Sequence, residues 1–500
     1  MDPRPPPVAG DVDGDGVPND RDDDADGDGI DNGTEQVGGF GCAGADADGD
    51  GTPNWLDLDS DDDGLSDGSE SAVGADAYRP DTDGDGFGDL LEAAAGTDPA
   101  NASSRPRELA EVALLADAET RDVTLSFVNR IESADVFFLF DTTGTMGAER
   151  DLLVEGMTSV VVPGIAAAIP DVLVGAAGFE DYPVGPFGDS MSGDRPFYAL
   201  TSMIDPATDE QSPGTSSSSP LVRGENERPD ILDAIEGLRI KNGEDLPESS
   251  VPALYATATG SSLSWAGGMT PPQSSCPGGT TGYPCFREEA LPIVVLVSDA
   301  DFHNGPDGQD PYSFSEAPTY ATALAELDDI GARVVGIYSG PGPDFPGLDD
   351  FRRLAMDTRT TYPDGSPMVF QIGEDGSGLS TSVVDGIASL AGGRTQDVHG
   401  QAVAGGSHPA GADPLSVVTG LVTGEATAYA SKDATTFYAL EAGSDFELVL
   451  SLAGRAPAGD EAEALVVRVR AVDAEGATFA TRRVIVVLTP PGRTLNVISP

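Results

Sequence analysis

The sequence predicts a multidomain protein in which an array of acidic repeats precedes an α/β domain and an all-β sandwich. The first hundred residues carry 29 Asp and Glu against 3 Arg, apolar runs then alternate with amphipathic stretches, and the last hundred residues alternate apolar with polar side chains. At 500 residues, with roughly 100–200 per domain, two or three domains are expected. We assign 1–10 to a tail, 11–99 to the repeats, 107–132 to the first strand or strands of the sandwich, 133–392 to the α/β domain and 393–500 to a connector and the remaining sandwich.

The acidic segment contains five copies of one twelve-residue pattern, which begin 13, 22, 13 and 22 residues apart. Each copy has carboxylates at positions 1, 3 and 5, Gly at position 6 and Asp or Glu at position 12, the pattern of a calcium-binding loop. Alternate side chains turn inward, and the last carboxylate completes a sphere of about 6–8 oxygens. The expected ligands are Asp11, Asp13, Asp15, Asp22, Asp24, Asp26, Asp28, Glu35, Asp46, Asp48, Asp50, Asp57, Asp59, Asp61, Asp63, Glu70, Asp81, Asp83, Asp85 and Glu92.

A solvated acidic linker is the alternative for this segment, because it has almost no large apolar residues. Five copies with an acidic twelfth position favour calcium loops instead. The alternating spacing, and the GTDP sequence at 96–99, resemble thrombospondin type 3 repeats. The resemblance implies a stiff spacer whose core is metal rather than hydrocarbon, so that metal removal should melt it.

The middle of the chain predicts a Rossmann-like α/β fold with a mainly parallel sheet flanked by helices. Asp141 ends the first predicted strand and Asp299 ends the fourth. Because ligands bind such sheets beyond the carboxyl ends of the strands, both carboxylates are expected at one crevice. The predicted strands, most of them buried on both faces, are 135–140, 171–179, 197–204, 291–299, 332–339 and 368–373.

Asp141, Thr143 and Thr145 form a D-x-T-x-T motif that directs one carboxylate and two hydroxyls to a common point. Oxygen ligands of this kind suit Mg²⁺, Mn²⁺ or Ca²⁺ rather than zinc. Asp141 could instead cap the following helix, Glu248 could sit in a first helical turn, and Asp299 could be an ordinary loop acid. The motif resembles the metal-ion-dependent adhesion site of von Willebrand factor type A domains, where a carboxylate of a partner protein completes the coordination of the metal.

Three further stretches resemble the inserted domain of integrin β subunits: GFEDYPV at 178–184, EDLPESS at 244–250 and VSDADFHNG at 297–305. By this resemblance Glu248 is a direct ligand of the central metal and Asp299 a ligand through water. It also implies a flanking calcium site, whose ligands are Asp181, Asp245, the Pro247 carbonyl and the shared Glu248.

The chain departs from that branch at two positions. Ala148 and Glu149 replace two consecutive acids that hold a third, adjacent metal, so Glu149 alone is a candidate there. Gly243 replaces an asparagine of the flanking site. We expect His303 to orient or pack rather than to bind metal, because a site of oxygen ligands has no use for imidazole.

Alternating strands are predicted after the connector that follows Gly392, and one similar strand, 122–131, precedes the α/β domain. This order suggests an antiparallel sandwich into which the α/β domain is inserted. A separate C-terminal sandwich is the alternative.

The formal charge of −60 argues against nucleic acid and acidic membranes as partners. We find no apolar run of the roughly 20 residues that span a bilayer, and no signal peptide is visible. Cys276 and Cys285 bracket a Gly/Pro-rich loop that a disulfide could close, whereas Cys42 is left as a free thiol or an intermolecular partner.

Taken together, these patterns predict a secreted or cell-surface adhesion protein. Ca²⁺ fills the repeats, and Mg²⁺ or Mn²⁺ at the central site captures an Asp or Glu of a protein partner. Weak calcium sites suit the extracellular space. The alternative is a structural, calcium-stiffened spacer or envelope component whose metal only holds loops together. No G-x-S-x-G, H-E-x-x-H or phosphate-cradling motif is present, and we expect no enzymatic activity.

Overall fold

Two six-stranded sheets and one three-stranded sheet organise this multidomain α/β protein. One six-stranded sheet belongs to the α/β domain, and the other two sheets pack against each other. The computed structural model describes residues 10–35, 46–102, 104–105, 109–191, 193–204, 231–241, 245–272, 276, 280–287, 290–340, 346–405, 412–457, 462–474, 476–490 and 495–498.

The strands and helices of the described residues are numbered in chain order. The strands are β1 Leu109–Leu115, β2 Thr120–Val128, β3 Ser133–Asp141, β4 Asp171–Phe179, β5 Tyr198–Ile204, β6 Ser264–Trp265, β7 Gly268–Met269, β8 Thr280–Thr281, β9 Phe286–Arg287, β10 Leu291–Ser298, β11 Arg333–Tyr338, β12 Val369–Gln371, β13 Gln396–Ala404, β14 Val418–Ala426, β15 Ser431–Lys432, β16 Thr436–Leu440, β17 Asp445–Ala453, β18 Glu463–Asp473 and β19 Thr478–Leu488. The α-helices are α1 Asn32–Glu35, α2 Asp67–Val73, α3 Asp89–Ala95, α4 Gly147–Gly156, α5 Val162–Ala168, α6 Ile231–Glu236, α7 Ser250–Thr259, α8 Tyr320–Asp329, α9 Pro346–Asp357 and α10 Leu379–Ala391.

The sheet of the α/β domain has the strand order β12-β11-β10-β3-β4-β5, and only the edge strand β5 is antiparallel to its neighbour. All six strands predicted from apolar runs are present. Every residue of β3 and of β10 is buried, because helices cover both faces of the sheet. The helices α4, α5 and α10 pack on one face and α7, α8 and α9 on the other. The carboxyl ends of β3, β4 and β10 therefore meet at one edge.

The sequence analysis found no apolar run long enough to span a bilayer, but the helical segment that follows β3 passes this test. It runs from Gly147 to Ala168 through α4, a π-helical segment at Met157–Val161 and α5, and by length and composition it is able to cross a membrane. Its buried Leu153 and Met157 nevertheless belong to the core of the α/β domain. A Cβ atom at Gly164 would lie 2.7 Å from the side chain of Val384 on α10, so the two helices touch closely there. It is therefore a core helix of the α/β domain.

The other two large sheets have the orders β1-β19-β18-β13-β16-β15 and β14-β17-β2. Phe446 of β17 contacts Phe437 of β16 and Phe479 of β19, so the sheets share a core. The strands β1 and β2 precede the α/β domain and β13 to β19 follow it. The α/β domain is therefore an insertion between β2 and β13.

One strand of this unit lies in the predicted connector, and another, β1, lies within 107–132, where the sequence analysis expected the first strand or strands. The segment assigned to a connector contains β13, which lies centrally between β18 and β16. A Cβ atom at Gly400 would lie 2.8–2.9 Å from the side chains of Leu421 and Leu448, so only glycine fits there. The glycine interrupts the alternation of apolar and polar residues by which a strand is predicted from sequence. The strand β1 pairs in parallel with β19 although its LAEVALL sequence favours a helix, so tertiary pairing overrides local propensity.

One buried asparagine links the two chain segments that enter and leave the α/β domain. Asn129 is fully buried, and its Nδ2 donates hydrogen bonds to the carbonyls of Arg394 (2.9 Å), Leu440 (2.9 Å) and Glu441 (3.0 Å). Its Oδ1 accepts a hydrogen bond from Nε2 of Gln396 at 2.9 Å. One side chain thus binds the chain leaving the α/β domain to the loop after β16.

The last acidic repeat packs on the outer face of the larger of the two packed sheets. Leu90 and Leu91 of α3 join a small apolar cluster with Val466, Ile485 and Val487. The contact extends along the chain terminus, where the Gly88 amide donates to the Ile498 carbonyl at 3.0 Å and the Asn496 amide to the Asp62 carbonyl at 2.6 Å. The repeat array therefore ends on a fixed support.

We expect Asn129→Ala to destabilise the whole chain by about 3 kcal/mol, because it leaves several buried groups without hydrogen-bond partners. Urea unfolding of the calcium-loaded chain measures this, with Gln401→Ala, at an exposed position of β13, as the control. Equal loss in the two variants would show that Asn129 does not hold the junction.

Candidate metal centre

The predicted central site lies at the carboxyl edge of the parallel sheet and is built around Asp141. This carboxylate is fully buried, and its Oδ1 accepts hydrogen bonds from the Thr143 amide (2.9 Å) and hydroxyl (2.7 Å). Its Oδ2 accepts one from the Ser298 hydroxyl at 2.6 Å. The sequence analysis missed Ser298, although its place at the end of β10, the strand beside β3, could have indicated it.

The other three predicted ligands come from the same strand ends and from the loop before α7. Thr145 is exposed, and its side chain hydrogen-bonds to Asp299. Glu248 is buried, with no hydrogen-bond partner for its Oε2 among the described residues. Backbone bonds fix this loop: the Glu248 amide donates to the Asp301 carbonyl, and the His303 amide donates to the Glu248 carbonyl, both at 2.9 Å. The loop is thereby held against the end of β10.

The buried carboxylates of the central site repel one another, so a positive charge is needed among them. Burial raises the pKa of Asp141 to about 7, and the charge of Asp299 adds to the shift. Burial also raises the pKa of Glu248 well above its ordinary value, as do the charges of Asp141, Asp181, Asp245 and Asp299. A buried carboxylate surrounded by four others is unfavourable unless a cation neutralises them. The orphaned Glu248 oxygen and these oxygen donors fit a divalent metal ion.

The flanking site contains one ligand candidate that the sequence analysis assigned otherwise. The His303 ring packs against Tyr312 and Phe187, as expected of an orienting residue. Its Nε2, however, lies 3.3 Å from Asp181 Oδ2 and 3.2 Å from Asp245 Oδ2. His303 is therefore part of the acidic cluster and not only a packing residue.

The remaining predictions for the flanking and adjacent sites concern three residues. Pro247 is half-buried and directly precedes Glu248, while Gly243 falls outside the described residues. Glu149, the candidate for an adjacent metal, is buried, and its Oε2 has no hydrogen-bond partner among the described residues. Burial raises its pKa, and the charges of Asp299 and Asp375 add to the shift. Asp375 was not identified from the sequence.

Glu180, next to Asp181 in the chain, is a buried acid whose carboxylate is bonded to other groups of the protein. Its carboxylate accepts hydrogen bonds from the Thr142 hydroxyl at 2.7 Å, the Lys241 ammonium at 3.1 Å and the Arg195 amide at 2.9 Å. These partners compensate its charge. Glu180 is therefore a structural acid that orders the loop after β4.

The acidic repeats share one hydrogen-bonding scheme, which the repeat starting at Asp24 illustrates. Asp24 Oδ2 accepts from the Gly29 amide (3.1 Å), Asp26 Oδ1 from the Asp28 amide (3.4 Å), and Asp28 Oδ1 from the Ile30 amide (2.7 Å). One oxygen atom from each of the three carboxylates lies within 4.8 Å of the others. The backbone thus orients three carboxylates toward a common point.

In the second and fourth repeats, the glutamate at position 12 is buried beside the aspartates of the loop. Glu35 and Glu70 are at most 1% exposed, and neither oxygen of either side chain has a hydrogen-bond partner among the described residues. Burial, with the charges of neighbouring aspartates, raises the pKa of Glu35 to about 9 and that of Glu70 to about 10. Buried carboxylates without partners fit the calcium pattern of the sequence.

Position 9 of the repeats has a role that the sequence analysis missed. In all five copies its Oδ1 accepts a hydrogen bond from the backbone amide of position 2. Where position 9 is Asp, position 2 has a hydroxyl that donates to the second oxygen, as Ser60 does to Asp67 at 2.6 Å and Thr82 to Asp89 at 2.7 Å. The position 9 residues are Asn19, Asn32, Asn54, Asp67 and Asp89.

Cys276 and Cys285 form a disulfide that closes the Gly/Pro-rich loop. Cys42 falls outside the described residues. The bridge joins residues nine apart in sequence and lies on the side of the sheet covered by α7, where Phe286 is in the core.

A number of solved structures are similar to this chain. No protein-family model and no curated protein matches the sequence. The chain is similar to a von Willebrand factor type A protein from Catenulispora acidiphila (TM-score 0.31, 12% identity, covering 76% of this chain and 72% of that one). It is also similar to the pilus adhesin SpaC of Lactobacillus rhamnosus GG in an open conformation (0.29, 12%, 73% and 45%) and to the ArnB paralog VWA2 of Sulfolobus acidocaldarius (0.23, 11%, 77% and 74%). Likenesses at these identities and TM-scores indicate nothing about the function of this chain.

We expect the stability of the metal-free chain to fall as the pH rises from about 5 to about 9. The pKa values of Glu35 and Glu70 in the fold, about 9 and about 10, lie above the ordinary value of 4.5. The folded state therefore holds more protons than the unfolded state in this range, so losing them costs stability. Thermal unfolding of the metal-free and calcium-saturated chains measures the effect, and calcium should largely remove it. An equal melting temperature of the metal-free chain at both pH values would contradict this expectation.

Proposed function

We propose that this chain is a calcium-dependent adhesion protein, secreted or at the cell surface, with an α/β domain of the von Willebrand factor type A kind found in integrin β subunits. Mg²⁺ or Mn²⁺ at the central site captures an Asp or Glu side chain of a protein partner. The observation that carries the proposal is the buried Glu248 carboxylate, whose Oε2 has no hydrogen-bond partner in the described part of the chain and which is surrounded by four other acids. This proposal assigns the site to binding rather than to catalysis.

Some residues around the site would hold a metal ion, and others leave it accessible to a partner protein. Asp141, kept in place by Thr143 and Ser298, supplies the fixed inner carboxylate. Thr145 is exposed and bonded to Asp299, so this side of the site faces solvent and can be reached by another protein. When bound, the metal supplies the positive charge that attracts the partner carboxylate. The metal must dominate this contact, because a chain of net charge −60 repels an acidic partner at longer range.

The repeats complete the proposal as a calcium-stiffened stalk of the thrombospondin type 3 kind. Their ligands lie on short loops whose backbone amides already orient the carboxylates. The last repeat packs through Leu90 and Leu91 on the sheet that supports the α/β domain. Calcium in the repeats would therefore fix the direction in which the adhesion site points.

A structural spacer or envelope component is the second candidate function. The three hydrogen bonds to Asp141 favour it, because they hold the loops of β3 and β10 together even without a partner protein. In this case the metal only stabilises the loops. The two functions differ in whether metal loss removes binding or stability alone.

We expect Asp141→Asn to lower the affinity for Mg²⁺ by at least about 100-fold, since losing even an outer-shell partner costs 10–100-fold. Titration calorimetry of the calcium-loaded chain measures it, with Asp151→Asn, an exposed acid on α4, as the matched control. Panning of a peptide library in Mg²⁺, with elution by chelator, then tests partner capture. Enriched peptides should require an Asp or Glu, and Asp141→Asn should abolish their retention.

Two outcomes would contradict the adhesion mechanism. One is retention of the peptides by Asp141→Asn, and the other is enrichment of peptides that bind equally well after their acids are changed to amides. Loss of thermal stability in Asp141→Asn, with no metal-dependent peptide enrichment in the unaltered chain, would favour the structural spacer.

We expect calcium removal to release the last repeat from its support, because Glu92 at the start of α3 is buried and its carboxylate needs a cation. Amide hydrogen exchange in Asp89–Ala95 should accelerate at least about tenfold on chelation, while β3 stays protected. Leu91→Ala should produce part of this acceleration with calcium present, since Leu91 is fully buried in the contact. Unchanged exchange in α3 after chelation would show that calcium does not control the docking.

A further inference from the structure

Three atoms able to accept a hydrogen bond or bind a metal converge beside the central site. The Nε2 atom of His303 lies 3.3 Å from Asp181 Oδ2 and 3.2 Å from Asp245 Oδ2, and the two oxygens are within 4.8 Å of each other. The other ring nitrogen, Nδ1, lies 2.8 Å from the Asp310 carbonyl oxygen. Because a carbonyl only accepts, Nδ1 carries a hydrogen, and Nε2 is the ring atom that faces the two carboxylates. Two carboxylates placed this close to each other are unfavourable unless a positive charge compensates them.

The imidazole is held rigidly in this orientation. His303 is 3% exposed, its ring lies 4.4 Å from that of Tyr312, and the ring of Phe187 meets it edge-on at 5.1 Å. The hydrogen bond from Nδ1 to a backbone carbonyl is the contact that commonly fixes the tautomer and the orientation of a metal-binding histidine. The fold thus holds Nε2 in a fixed position facing Asp181 and Asp245.

The carboxylate of Asp181 is oriented in the same way. Its Oδ1 accepts hydrogen bonds from the Tyr182 amide and the Tyr312 hydroxyl, both at 2.5 Å. These bonds leave Oδ2 directed at His303. Tyr312 therefore acts on both sides of the cluster, since its hydroxyl binds Asp181 and its ring packs on His303.

Two further oxygen atoms point to a ligand at this place. Glu248 is 3% exposed and Asp181 is 1% exposed, and the Glu248 Oε2 and Asp245 Oδ1 atoms have no hydrogen-bond partner among the described residues. Glu248 lies beside the cluster, because its backbone carbonyl accepts a hydrogen bond from the His303 amide at 2.9 Å. A buried glutamate oxygen without a partner is available to complete a coordination sphere.

We propose that Asp181, Asp245 and His303, with Glu248 beside them, form a mixed nitrogen and oxygen site for a transition metal ion, Zn²⁺ or Mn²⁺, rather than a calcium site built of oxygens alone. Imidazole suits zinc and its neighbours, whereas Ca²⁺ takes oxygen ligands. Around a tetrahedral zinc ion with bonds of about 2.0–2.2 Å, ligand atoms lie about 3.3–3.5 Å apart, close to the distances from Nε2 to the two carboxylates. This site is distinct from the central one, with which it shares only Glu248.

The experiment titrates Zn²⁺ into the full chain in saturating Ca²⁺, which occupies the repeats, and uses Co²⁺ as a spectroscopic substitute. We expect His303→Gln to weaken Zn²⁺ binding at least about 100-fold and Tyr312→Phe, which removes one bond to Asp181, about tenfold. The visible absorption of bound Co²⁺ should be lost in His303→Gln. The control is His399→Gln on β13, at the junction rather than the sheet edge, and equal melting temperatures in Ca²⁺ confirm that the variants fold.

Asp141→Asn separates this proposal from the proposed adhesion site, because it should weaken Mg²⁺ binding while leaving the His303-dependent Zn²⁺ binding in place. Zn²⁺ affinity that is equal in the unaltered chain and in His303→Gln would overturn the proposal. So would tighter Ca²⁺ binding in His303→Gln, since it would show that a protonated imidazole, and not a metal, neutralises the two aspartates.

Discussion

Repulsion between closely placed carboxylates is the constraint on which the rest of this structure depends. Buried acids cluster inside the repeats and at the carboxyl edge of the parallel sheet, and in both clusters oxygens such as Glu70 Oε1 and Glu248 Oε2 have no hydrogen-bond partner among the described residues. A chain with 86 acidic and 26 basic residues cannot neutralise these clusters by ion pairs. Where a lysine is available, as Lys241 is for Glu180, the buried acid is fully paired. Where none is, the backbone instead orients the carboxylates toward one another, and such an arrangement is stable only around cations.

The rigid parts of the fold make this arrangement possible. The strands β3 and β10 are buried over their whole length, so the positions of Asp141 and Ser298 at their ends are fixed by the sheet core. The insertion into the two packed sheets is held by Asn129, and the last repeat is held by an apolar contact with the same unit. The acidic clusters therefore sit on supports that are stabilised by hydrocarbon and hydrogen bonds, and the metal-dependent parts do not have to organise the whole chain.

The features that the sequence predicted are those with a local period or a fixed place in a strand. The repeats follow from carboxylates at fixed intervals, and Asp141 and Asp299 follow from their position after apolar runs. The features it missed depend on contacts between distant segments: β13 is concealed by Gly400, whose missing side chain makes room for Leu421, and Ser298 acts through a neighbouring strand. His303 was assigned by ligand chemistry alone, and only the fold shows that its Nε2 faces Asp181 and Asp245. The role of position 9 was within reach, because Asn or Asp recurs there in every repeat.

The distribution of charge also constrains the kind of partner that the proposed adhesion site would take. At physiological ionic strength, charges are screened beyond about 8 Å, so the acidic stalk acts on an approaching protein only at short range. Within that range it repels acidic surfaces and attracts basic ones, whereas the proposed metal at Asp141 attracts a single carboxylate. A partner that satisfies both has an isolated Asp or Glu within a neutral or basic surface. The site would recognise such a partner by the contrast between one acid and the neutral or basic surface around it. The strongly acidic chain thereby adds specificity, although it does not itself attract the carboxylate of the partner.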